Sequence, residues 1–249
     1  MQSSLVKAVG QDERPRRITE ALVAVGGSGA RLRADGFPLS LSKAFIELDG
    51  KPLLYWCLRS LHQSGIRRIV LTADTNDKLT RAGQVVRGLP VQFGAVHLVR
   101  NSAPGSTGLP YHARSLFDRP FIFECGHAVV PSWHYQRMMD HWWLSPGNVI
   151  AILTAYPPVT TSFRHEIELD GTVVAVAEPL IASSAYCAVL PRLGFDPGCV
   201  FKRLVANRAA GLVRLNYPIE PDVRAELEPA LSRYRQTVSD AEAGDLAGA

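Results

Sequence analysis

The sequence predicts an α/β chain built on a mixed, mainly parallel central sheet flanked by helices, and two observations carry that reading. The first is Ala21-Leu22-Val23-Ala24-Val25, five apolar residues without a break, as in a strand buried on both faces. The second is the order of the next segments: a glycine-rich turn, an amphipathic helix, and another apolar run, Ile69-Val70-Leu71-Thr72-Ala73. Strand, helix and strand in that order form a crossover unit, which requires a parallel sheet. Of 249 residues, 47% are hydrophobic, enough for one substantial core. A single domain is expected over 20–239, between a polar extension at 1–19 and a small polar tail at 240–249.

Each element has its own signal. Gly26-Gly27-Ser28-Gly29 opens a loop to Ser42 that reads as a flap. Glycines let the backbone approach a ligand closely, and consecutive turn amides form a nest for phosphate oxygens. Arg31 can then clamp the same anion. Pro52 suits a helix first turn. Leu53, Leu54, Cys57, Leu58 and Leu61 recur at helical spacing up to Gly65. A helix is expected over 77–87 and a weak strand at 96–99. Asn101 to Leu109 is rich in turn formers and reads as a loop. Phe121 to His127 is a buried strand, with Ser132 placed to cap the next helix. Val149 to Ala155 is a strand, and Glu166 to Glu178 a hairpin turning at Asp170-Gly171. Ala185 to Leu190 reads as a strand closing the sheet. A helix over 201–208, a strand over 212–215 and a helix over 222–238 complete the chain.

Four motifs stand in register: Gly26-Gly27-Ser28-Gly29-Ala30-Arg31-Leu32, Ser42-Lys43, Gly50-Lys51-Pro52-Leu53 and Gly65-Ile66-Arg67-Arg68-Ile69. That set resembles the N-terminal half of the sugar-1-phosphate nucleotidyltransferases, and within them the glucose-1-phosphate thymidylyltransferases. The resemblance implies a Rossmann-like nucleotidyltransferase (GT-A-like) fold, with a nucleoside triphosphate and a phosphorylated sugar as small-molecule partners. It assigns phosphate binding to Arg31 and Lys43. It places Gly108 and Leu109 near the base.

The other half of the family pattern is rewritten. The magnesium-binding Asp is replaced by His127, and imidazole is a poor ligand for Mg²⁺, which prefers hard oxygens. Mg²⁺ use is therefore doubtful, and the cofactor is unknown. The sugar-phosphate motif survives as Glu178-Pro179 without its lysine, and the sugar-facing strand becomes Arg164-His165-Glu166-Ile167. Glu220 or Asp222 stands nearest to the second metal Asp. His127 and His165 are suited to proton transfer near neutral pH. Expected catalytic residues are Arg31, Lys43, His127 and His165. Expected substrate contacts are Gly26, Gly27, Ser28, Gly29, Gly108, Leu109, Arg164 and Glu178. Three readings stay open: a divergent nucleotidyltransferase, a metal-independent hydrolase or cyclase on the same scaffold, and a non-catalytic binding or regulatory protein.

Charge and cysteine use narrow the class. The net charge of +4 is scattered, apart from Arg14 to Arg17, which argues against a nucleic-acid partner. No apolar run reaches the length of a membrane span, and Met1 to Thr19 lacks the apolar core of a signal peptide. A cytoplasmic location is the expectation, with homo-oligomerisation left open. The four cysteines lack metal-ligand spacing and read as buried small hydrophobes.

Overall fold

The structure is a computed structural model, and it describes residues 15, 17–26, 29–39, 41–101, 105–156, 165–169, 172–215, 228–229, 231–233, 235–236 and 239. Its described strands form an eight-stranded mixed sheet and a separate two-stranded hairpin. The large sheet contains β1 (Glu20–Ala24), β4 (Arg68–Ala73), β5 (Ala95–Arg100), β6 (Phe121–Cys125), β7 (Ala151–Tyr156), β8 (His165–Leu169), β9 (Thr172–Ala182) and β10 (Ala210–Arg214). Their order is β10-β7-β9-β6-β1-β4-β5, with β8 added on β9. The hairpin pairs β2 (Glu47–Leu48) with β3 (Lys51–Pro52). The chain divides into two compact units.

One unit comprises Val23–Asn101, Cys125–Tyr135 and Pro218–Ala249. The glycine turn leads into a short helix, α1 (Ala30–Ala34), and a 3-10 turn over Lys43–Phe45. The expected flap is therefore partly helical, because Arg33 N–H closes a helical bond on Gly29 O at 3.1 Å. Next comes α2 (Leu53–Gln63), with Pro52 just before its first residue. Leu53, Leu54, Cys57, Leu58 and Leu61 are all fully buried, so the helical stripe is the face that packs. Each leucine so buried contributes roughly 1.5–3 kcal/mol. Gly65 ends the helix at φ +103°, a conformation that only glycine takes without strain. Then β4 and β5 pair in parallel, and α3 (Asn76–Arg87) connects them, capped by Thr75 Oγ1.

The other unit comprises Met1–Leu22, Ser102–Glu124 and Gln136–Tyr217. It is organised on β9, which pairs antiparallel with β6, β7 and β8. The β8–β9 register pairs Leu169 with Thr172, which bears out the expected hairpin; its two turn residues lie outside the described set. Opposite β7 the register shifts: Leu153 pairs with Leu180, but Thr154 pairs with Ala177. Glu178 and Pro179 are the extra residues of this bulge, and side chains satisfy their carbonyls. Thr154 Oγ1 donates to Pro179 O at 2.8 Å, and Tyr156 Oη donates to Glu178 O.

Two expected elements change type. Gly105 to Leu109 is not loop but the start of α4 (Gly105–Ala113). Ala185 to Leu190 is not a strand but lies in α6 (Ser184–Leu193). A short apolar run does not by itself separate a buried strand from a buried helix. Here Ser183 decides, since its Oγ accepts from Tyr186 N–H at 3.1 Å as an N-cap. Asp196 does the same for α7 (Pro197–Ala206), accepting from Cys199 N–H at 2.8 Å, so that helix starts before residue 201. Ser132 is the first residue of α5 (Ser132–Leu144) rather than its cap. Of the thiols, Cys57 and Cys187 are buried, while Cys125 is half-buried and Cys199 exposed. No helix among the described residues is long and apolar enough to cross a membrane.

Candidate active site

In the unit that holds the glycine turn, the ends of three strands converge. Just past the end of β1, Val25 N–H donates to Thr72 O of β4 at 2.8 Å. Gly126, just past the end of β6, donates its N–H to Ala24 O, also at 2.8 Å. The strand order reverses at β1, which has β4 on one side and β6 on the other. In open α/β sheets, ligands bind outside the carboxyl ends of the strands at such a switch point.

The residues there are held closely. Gly29 has φ +59°, and a Cβ on it would run into Leu39 Cδ2 and lie 3.6 Å from Lys43 Cγ. The glycine turn and the stem of Lys43 are thus packed together. A Cβ on Gly126 would sit 2.9 Å from Leu54 Cδ1 and 3.2 Å from Ala24 O, so only glycine lets β6 run this close to β1's end. His127 comes next in the chain and is buried. Of the other expected residues, Arg31 has its backbone in α1, while its side chain, like Gly27 and Ser28, lies outside the described set.

Asp74, which sequence reasoning did not single out, stands close to the glycine turn. It directly succeeds β4, and a Cβ on Gly26 would be 3.9 Å from its Oδ1. Lys78 Nζ lies 2.7 Å from Asp74 Oδ1 and 3.0 Å from Oδ2. That hydrogen bond is the main reason the Asp74 carboxyl titrates below its ordinary range. The signal was available: an acidic residue closing a buried strand, four positions before a lysine on an N-capped helix.

Expected residues of the other unit have different neighbours. His165 opens β8 and packs against α7, where Gly198 has no room for a Cβ beside its Nδ1. Its ring meets Phe201 edge-on at 5.7 Å. Burial, opposed by Asp196 and helped by Lys202, lowers its pKa below the ordinary histidine value. Glu178 is buried on the β9 bulge, and Tyr186 of α6 lies within its field. Burial, then that carboxylate, pushes the Tyr186 phenol well above its usual range. Gly108 is buried and Leu109 half-buried inside α4 rather than in a loop. Arg164, Glu220 and Asp222 lie outside the described residues.

No family profile matches the sequence, and no curated protein is similar to it in sequence. Solved structures are similar to it in shape. An inositol-1-phosphate CTP transferase from T. maritima matches with a TM-score of 0.66 at 15% identity, over 88% of this chain and 96% of that one. A nucleotidyl transferase from Methanothermobacter thermautotroptrophicus matches with a TM-score of 0.64 at 15% identity, over 89% and 99% of the two chains. The fold is the nucleotidyltransferase fold. A CMP:2-keto-3-deoxy-manno-octonic acid synthetase complexed with CTP shares it too, with a TM-score of 0.62 at 12% identity over 88% and 99%. Identities this low establish the fold of this chain and leave its chemistry to its own residues.

The nucleotidyltransferase fold implies a divalent metal. Among the described residues no group of three or more His, Cys, Asp or Glu is arranged to hold one. Where the resemblance implies a metal-binding Asp there is His127, and Asp74, beside Gly26, is paired with Lys78. Mg²⁺ needs only one or two carboxylates beside substrate phosphates, and Glu220 and Asp222, the expected acidic candidates, lie outside the described residues.

Proposed function

We propose that this protein is a divergent nucleotidyltransferase that binds a nucleoside triphosphate at the glycine turn and transfers its nucleotidyl group to a phosphorylated small molecule. One observation carries the proposal: Gly29 and Lys43 pack together at the switch point between β1, β4 and β6. In the reaction, an acceptor phosphate oxygen attacks the α-phosphorus, the bond to the bridging oxygen breaks, and pyrophosphate leaves. Turn amides and the cations of Arg31 and Lys43 stabilise the anionic transition state. His127 stands where the family pattern has its metal-binding Asp, so metal use departs from that pattern. The named substrates of the structural neighbours make CTP the first nucleotide to test, and the motif resemblance makes thymidine triphosphate the second.

An imidazole at His127, where the family pattern has a carboxylate, favours a second reading, a metal-independent hydrolase or cyclase using His127 or His165, or a binding protein without catalysis. Thermal unfolding with each nucleoside triphosphate, with and without Mg²⁺, separates these. A ligand at one hundred times its Kd should raise the melting temperature by about 5–10 °C for a chain of this size. The shift should vanish in Lys43→Gln. If no nucleotide stabilises the folded protein, the proposal fails. Stabilisation without pyrophosphate release, across sugar and inositol phosphates, would favour the second reading.

A further inference from the structure

A cavity of about 140 Å³ lies in the unit built on β9, at the amino end of β6. His127 and the glycine turn stand beyond the carboxyl ends of their strands, so this cavity is not part of the site described above. Its floor is apolar: Phe117 and Phe121 stack at 4.0 Å between centroids, and Cys187 is buried beside them. Burial pushes the Cys187 thiol up to about 12, although Arg114 works against the shift. The thiol is therefore protonated and contributes neither negative charge nor reactivity at neutral pH.

The rim is positive. Arg114 and Arg119 line it, against one acid, Asp118. Arg114 is held in place, with its guanidinium 4.0 Å from the Tyr111 ring centroid and Nη1 donating to Tyr111 O at 2.6 Å. Arg119 forms no ion pair among the described residues. Ser184, also on the rim, is the first residue of the ten-residue α6. Ser183 satisfies the third amide of that helix, while the N–H groups of Ser184 and Ala185 meet no acceptor among the described residues. Two guanidinium groups, a hydroxyl and the positive end of a helix thus surround one phosphate-sized space.

We propose that this cavity is a second anion site, taking a phosphate group either free or as a small phosphomonoester. It is independent of the nucleotide site. Titration calorimetry with inorganic phosphate and, separately, glycerol 3-phosphate tests it, using the Arg31→Gln/Lys43→Gln protein so that the glycine turn cannot answer for the signal. At least one of the two anions should bind with one-to-one stoichiometry, and the tighter one identifies the source. Arg114→Gln/Arg119→Gln added to that background should weaken binding at least tenfold. Asp118→Asn should tighten it by removing the one repulsive charge. Ser184→Asp is the control for folding: an acid in the first turn favours the helix yet repels the anion. It should keep or raise the melting temperature while abolishing binding. Absence of binding by both anions overturns the site, as does binding that persists in the arginine double variant or in Ser184→Asp.

Discussion

The Asp74–Lys78 pair should respond very unequally to loss of either partner. Its geometry is good, with Nζ–O distances of 2.7 and 3.0 Å, but its burial is lopsided. The lysine side chain is 8% exposed and the aspartate 47%. Removing one partner of a buried pair costs about 3–5 kcal/mol, because the remaining charge is stranded. Asp74→Ala removes the carboxylate that faces the buried ammonium, and discounting for the half-exposed partner leaves a cost of about 2–3 kcal/mol. Lys78→Met leaves a carboxylate that water reaches, and the methionine fills the same channel, so about 0–1 kcal/mol is expected. A difference near 2 kcal/mol separates the urea midpoints by about 0.7 M if m is about 3 kcal/mol/M. Nucleotide binding should rank the other way, since Lys78→Met frees a negative charge beside Gly26. Chemical denaturation and nucleotide titration of both variants check this. Equal stabilities, or weaker nucleotide binding in Asp74→Ala than in Lys78→Met, would refute the reasoning.

Two further outcomes rest on the packing and on the titrating groups. Gly126→Ala forces a methyl group against Leu54 and the Ala24 carbonyl; overpacking of this kind costs about 1–3 kcal/mol, read as a lower urea midpoint. An unchanged midpoint would mean that β6 does not approach β1's end this closely. His62, His141 and His165 all have pKa values lowered below 6.5, chiefly by burial. The unfolded chain then binds more protons, so stability is full above about pH 6.5 and falls as the pH drops towards the depressed values. Asp74, with its lowered pKa, adds a second loss at lower pH, as the solution falls through its folded value. Denaturation midpoints between pH 8 and 2 test the order; replacing His165 and His141 by glutamine should flatten the upper step.

Much of this architecture is written in local patterns. The α2 stripe, Gly65 and the β8–β9 turn each depend on residues within one element, so they could be read directly. The α6 segment could not, because Ala185 to Leu190 is buried in either conformation and only the Ser183 cap distinguishes them. The same limit hid α4, where Gly105 and Gly108 suggest a loop but the helix holds them. At the site, the contact between Gly29 and Lys43 was legible as motif order. Asp74 was missed because its position matters only through strand order: β4 must lie beside β1 before the residue that follows it can stand near Gly26. Sequence shows that an aspartate follows a strand, and only topology shows what stands next to it.

The bulge on β9 limits how the length of this strand can vary. Between the Leu153–Leu180 and Thr154–Ala177 pairs, β9 carries two more residues than β7. Side chains alternate faces along a strand, so an excess of two leaves every flanking residue on its own side of the sheet. Losing one residue would turn over the whole segment before Glu178, moving Val174 and Val176 to the face that Val173 and Ala175 now hold and those two to theirs. Losing both would straighten the ladder and keep the faces, at the cost of leaving Thr154 and Tyr156 without their acceptors. Insertions and deletions at this point are therefore tolerated by the fold only in pairs.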